Sequence, residues 1–233
     1  MAGVNEQFIA LNCHLWYIVR MKFEHLLEIV ADEPAFETGL LLAGQVDPAD
    51  VRRQLSRWVK AGRLYQLRRG LYALAPPFQK VKPHPFVLAN RLVRGSYVSL
   101  QAALAHYGLI PEVVPVVTSV TALRPGRWET PLGIYEFRHV KAAWLTGYLL
   151  VEVSPGQRAF VAAPEKALLD LAYLHPDGDS PAYLQELRLQ NLERLDLQAL
   201  QRLAEQSGKP KLRRVAAYVA ELARREAEEY EAL

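Results

Sequence analysis

Between Val51 and Pro111 the chain contains no aspartate or glutamate. The same stretch carries Arg52, Arg53, Arg57, Lys60, Arg63, Arg68, Arg69, Lys80, Lys82, Arg91 and Arg94. The formal net charge of the whole chain is only +3. The basic stretch is therefore a local electrostatic footprint for an anionic partner, not a property of the chain at large.

Other features are scarce. Cys13 is the single cysteine, so no disulfide within the chain and no cysteine-based zinc site can form, and a reducing cytoplasm is the simple expectation. The six histidines include no pair at helical metal-ligand spacing, so neither a metal nor another cofactor is expected. Long apolar runs are missing too. Phe8–Val19 is broken by Asn12, Cys13 and His14 and is too short to span a bilayer, which argues against a membrane partner. With no Lys or Arg before it and no small-residue cleavage site after it, it makes a poor signal peptide.

Two catalytic chemistries lack their residues. A metal-dependent nuclease of the PD-(D/E)XK type needs an acid two positions before a lysine, and no lysine of this chain has one. A nucleotidyltransferase needs Gly-Ser followed by alternating acids. Gly95-Ser96 is followed by no acid until Glu112, and Asp177-Gly178-Asp179 has no such Gly-Ser before it. No catalytic residue is assigned and the chain is expected not to be an enzyme. Glu165, Lys166 and Asp170 read as helix stabilisers, through the helix dipole and an i, i+4 ion pair.

What is present has a clear order. Phe23, Leu26, Leu27 and Val30 form one apolar helical face over about 22–32, ended by Pro34. A short second helix is expected near Glu37–Ala43, capped by Gly44. Asp47 as N-cap, Pro48 at the first helical position and Asp50 in the first turn open a third helix running to Ala61. Its apolar side is Val51, Leu55, Trp58 and Val59, and Arg52, Arg53, Ser56, Arg57 and Lys60 lie on the flank and the opposite side. Strands 64–67 and 71–74 follow, joined by Arg68-Arg69-Gly70. Three helices and a hairpin form the winged helix-turn-helix order, in which the third helix enters the DNA major groove.

The expected architecture is α+β: an N-terminal winged helix-turn-helix, then a larger mixed α/β domain with terminal helices. The boundaries read as an extension over 1–20, the DNA-binding domain over 21–75, a linker rich in Pro and Lys over 76–84, and a partner domain over 85–233. In the second part the spacing predicts helices at 85–92, 100–107, 165–174, 181–189, 197–206 and 210–229. Strands are predicted at 116–121, 133–138, 147–153 and 157–162. Arg52, Arg53, Ser56, Arg57, Lys60, Arg68 and Arg69 are the candidate contacts to double-stranded DNA, by phosphate pairing or bidentate recognition of guanine. One winged helix offers little specificity, so two copies are expected on repeated half-sites.

Ser56-Arg57-Trp58-Val59-Lys60-Ala61-Gly62-Arg63-Leu64 followed by Arg68-Arg69-Gly70-Leu71-Tyr72-Ala73-Leu74 resembles the N-terminal domain of AbiEi-type antitoxins, also described as predicted transcriptional regulators of viral defence systems. The resemblance continues in patches at Tyr97-Val98-Ser99-Leu100, residues 103–111, residues 117–121 and Ala163-Pro164-Glu165-Lys166-Ala167-Leu168-Leu169-Asp170. It implies an antitoxin of a bacterial type IV toxin–antitoxin pair. Such a protein represses its own promoter through the N-terminal domain and counters a nucleotidyltransferase toxin through the C-terminal one. A stand-alone regulator is the alternative. Residues 1–20 lie outside the family pattern.

Overall fold

A computed structural model describes residues 21–42 and 46–231. The chain divides into two compact units, one ending at Lys82 and one spanning Pro83–Leu233. Both α-helices and β-sheets are present, so the fold class is mixed.

In the first unit, helix α1 (Phe23–Val30) buries Phe23, Leu26 and Val30, three positions of the apolar face. Strand β1 (Phe36–Glu37) comes next, then a 3₁₀ turn over Thr38–Leu41. This differs from the expected second helix over 37–43. Phe36 and Glu37 pair with Tyr72 and Leu71 as the outer strand of a small sheet, which takes Glu37, the first residue of that expected helix, out of helical geometry. Ala43 and Gly44, the expected end and cap of that helix, lie outside the described residues. Helix α2 (Pro48–Lys60) starts where its cap predicts: the Asp47 carboxylate accepts a 2.8 Å hydrogen bond from Ala49 N–H. Ala61 caps its far end, and Gly62 follows at φ 69°, a conformation that glycine takes without steric cost. Strands β2 (Leu64–Arg68) and β3 (Leu71–Leu74) form the hairpin, and the sheet order is β1-β3-β2. The core joins Phe23, Leu26, Val51, Leu55, Trp58, Leu64, Tyr72 and Leu74. Phe23 meets Trp58 edge-on at 5.3 Å, so Trp58 packs inside and does not stack on a base.

The second unit is built on a six-stranded sheet. Helix α3 (Pro85–Leu92), strand β4 (Ser96–Val98) and helix α4 (Leu100–His106) lead into β5 (Val116–Thr121), β6 (Gly126–Thr130), β7 (Gly133–His139), β8 (Tyr148–Ser154) and β9 (Gln157–Ala162). The strand order is β6-β7-β5-β4-β9-β8. β4 is antiparallel to β5 and parallel to β9, and β5 is parallel to β7. The β4–β9 pairing is limited to Val98 and Val161. Beyond that bridge the Asn90 side chain stands in for the ladder. Its amide donates to Ser96 and Phe160 carbonyls, and its oxygen accepts from Phe160 N–H at 2.6 Å.

Helix α5 (Pro164–Leu174) is buried over Glu165–Ala172 on every side. It packs against α4 and against two of the helices that close the chain. These are α6 (Pro181–Glu186), α7 (Leu197–Gln206) and α8 (Pro210–Glu231), and α5 touches the last two. A helix enclosed in this way is apolar nearly all round. Its three charged residues therefore need partners inside the protein.

Candidate nucleic-acid interface

The candidate site is one face of α2 with the turn of the β2–β3 hairpin. Val51, Leu55 and Trp58 are buried, which turns Arg52, Arg53, Ser56, Arg57 and Lys60 to solvent on the exposed side. The residues the sequence singled out on this helix thus share one accessible surface. They differ in what holds them. Arg53 is paired with the Asp50 carboxylate one turn earlier, and the Arg52 Nε donates to the Pro48 carbonyl at 2.9 Å. Arg57 and Lys60 pair with no carboxylate among the described residues. Both sit in the last turn of the helix, where a positive charge is favoured by the macrodipole.

The hairpin turn is more constrained. Gly70 adopts φ 81°, and its carbonyl accepts from Thr38 N–H at 3.0 Å, tying the turn to the 3₁₀ segment. Arg68 is half-buried and reaches the Glu37 carboxylate at 3.4 Å. Arg69 is exposed at the tip. Tyr72 is buried and stacks on Phe36 at 5.9 Å, and burial raises its phenol pKa. The structure therefore groups Arg57, Lys60 and Arg69 as cations on accessible positions, with Arg53 and Arg68 engaged in ion pairs.

Residues 46–75 match the family model AbiEi_4, described as a transcriptional regulator, AbiEi antitoxin. The matched stretch spans α2 and both hairpin strands, so all seven candidate residues fall inside it. This supports the general role of an antitoxin-type transcriptional regulator. Among solved structures, the RV2827C protein from Mycobacterium tuberculosis is 20% identical, with a TM-score of 0.48 over 84% of this chain and 75% of that one. No curated protein matches.

A second group of charged residues lies in the other unit. Lys166 and Asp170 on α5 form an ion pair whose side chains are wholly inaccessible. Asp170 also accepts from Trp144 Nε1 at 2.6 Å, Ser99 Oγ at 2.7 Å and Tyr97 O–H at 3.0 Å. Lys166 donates to Tyr97 at 2.8 Å and lies 4.2 Å from the Trp144 ring centre. Burial pushes the Asp170 carboxyl up and the Lys166 ammonium down, and their mutual attraction opposes both shifts. Lys166, Tyr97, Ser99 and Trp144 all donate to Asp170, and these bonds favour its carboxylate against the burial. Sequence spacing showed the i, i+4 pair but not Tyr97, Ser99 or Trp144. Ser99 stands at the N-cap position of α4 but makes no cap hydrogen bond, and its hydroxyl donates to Asp170 instead. Glu165 accepts from Asp196 N–H at 2.7 Å and so tethers the start of α7.

Among the described residues no cluster of three or more His, Cys, Asp or Glu could hold a metal. Among the same residues no helix is long and apolar enough to cross a membrane.

Proposed function

We propose that this chain is a DNA-binding antitoxin of the AbiEi type. In this reading the first unit is a winged helix-turn-helix that binds double-stranded DNA at its own promoter and represses transcription. The second unit counters a nucleotidyltransferase toxin. The observation that carries the DNA assignment is the exposed, acid-free side of α2 after Asp50, continuous in sequence with a hairpin tip bearing Arg69. A recognition helix needs this arrangement: apolar residues seated on a small core, cations outward for phosphates and base edges. The role is non-catalytic. The charged cluster of α5 is sealed from solvent, which supports a structural part for Lys166 and Asp170.

The test is an anisotropy titration of the full chain against its own promoter duplex at several salt concentrations. Binding should weaken by about 0.9 log units per decade of salt for each phosphate contact. No binding at about 50 mM salt, where counterion release favours association most, overturns the assignment. Retained DNA binding without protection against a co-expressed toxin would leave a stand-alone regulator.

A further inference from the structure

The two edges of the six-stranded sheet are unlike. β6 is short, carries Arg127 and Glu129 joined at 3.2 Å, and is flanked by Pro125 and Pro131. Charge, shortness and proline guard a strand edge against pairing. β8 has no such guard. From Leu145 to Val151 it and its approach hold no charged residue. Tyr148, Leu149 and Leu150 are 40%, 56% and 55% exposed, and Phe160 on the neighbouring strand is 44% exposed.

The phase of the β8–β9 ladder fixes which backbone groups face outward. Ala163 N–H donates to the Gly147 carbonyl, and the Phe160 N–H and carbonyl bond to Asn90, away from β8. Leu150 is the register partner of Phe160. Hydrogen-bonded pairs alternate along an antiparallel ladder. The N–H and carbonyl groups of Tyr148, Leu150 and Glu152 therefore point to the open edge.

We infer that β8 pairs with β8 of a second copy, antiparallel about a two-fold axis at Leu150. In that register Leu150 meets Leu150 and Tyr148 meets Glu152 of the other copy, all through the outward-facing groups. The face formed by Tyr148, Leu150 and Phe160 becomes continuous across the two sheets. The two Glu152 side chains are kept apart by the register, roughly four residues or about 14 Å along the strand. One seven-residue strand per copy buries less than a standard interface, so the dimer is concentration-dependent. The pairing uses the second unit alone and holds whether or not the first unit binds DNA.

Sedimentation equilibrium of the full chain without DNA tests it. The mass should approach twice the monomer mass as concentration rises. Leu150→Pro removes the central outward N–H at an edge position that tolerates proline, and should raise the dimer dissociation constant at least about tenfold. Val113→Lys, at an exposed apolar residue elsewhere, should change nothing. Leu150→Cys in a Cys13→Ser background should oxidise to a disulfide-linked dimer, because facing residues in a hydrogen-bonded pair lie about 5.5 Å apart at Cα. Tyr148→Cys in the same background should not. A monomer at every concentration overturns the proposal, as does a dimer unaffected by a folded Leu150→Pro variant. If Leu150→Pro fails to fold, the cross-link decides: a Leu150→Cys variant that forms no disulfide-linked dimer overturns the pairing.

Discussion

Arg53 and Arg57 sit one turn apart on the same exposed surface, yet their situations differ. Arg53 must leave Asp50 before it can reach DNA, and Arg57 need not. Replacing Arg57 with Ala should therefore cost about 1–3 kcal/mol of binding and change sequence preference, as expected of a base contact. Arg53→Ala should cost less, because part of its interaction is spent inside the helix. Arg69→Ala should weaken binding to all sequences alike and reduce the salt slope by about 1. Anisotropy titrations on specific and scrambled duplexes separate these outcomes. Equal losses for Arg53 and Arg57 would show that the Asp50 pair does not compete with DNA. In the second unit, the Lys166–Asp170 pair is held by Tyr97, Ser99 and Trp144. Removing one charge leaves the other buried and uncompensated. Lys166→Met or Asp170→Asn should each destabilise the protein by about 3–5 kcal/mol, and the Lys166→Met/Asp170→Asn double variant by less than the sum. Chemical denaturation measures this, and additive losses would contradict the coupling.

At the scale of elements, the start of α3 depends on a titratable cap. The His84 Nδ1 accepts from Phe86 N–H at 3.2 Å, which requires the neutral ring. Burial, then the positive charge of a protonated His106, holds its pKa below the usual imidazole range. As pH falls below about 6.5 the unfolded chain takes up a proton that the folded one resists, so stability is lost. Thermal unfolding should thus shift to lower temperature between about pH 7.5 and about pH 5, the range in which an imidazole titrates. His84→Asn, a good cap that does not titrate, should shrink that shift. His106, also lowered by burial, leaves a remainder. An unchanged shift in His84→Asn would remove His84 from the account. Elements of this kind were legible in proportion to their punctuation. The caps of α2 and the Pro at the start of α3 and α5 marked helix ends within a residue. β4 and β6 were missed. β4 is three residues long and β6 reads Gly-Arg-Trp-Glu-Thr, with no apolar alternation to detect. A helix was expected over 37–43, but pairing of Glu37 with Leu71 draws its first residue into a strand, and Thr38–Leu41 form a 3₁₀ turn.

At the scale of the molecule, the two units predict a division of labour. Residues 21–82 alone should bind promoter DNA more weakly than the full chain, and residues 83–233 alone should not bind it. Co-expression with a neighbouring nucleotidyltransferase toxin, scored by growth, should show rescue by the full chain and none by residues 21–82. Rescue by residues 21–82 would move the antitoxin role to the first unit.

The sequence by itself determined the acid-free basic stretch, the amphipathic sides of α2 and the turn at Gly70, because charge, 3.6-residue periodicity and φ preference are local properties. It also carried the α5 motif as a string of residues. Only the tertiary structure decided which cations are already paired, as with Arg68 and Glu37, thirty-one positions apart. The same holds for Asp170, whose partners Ser99 and Tyr97 come from 71 and 73 residues away. Such contacts are made where the sheet and helices converge, and no local pattern encodes them. Which sheet edge is left open is likewise set by strand order alone.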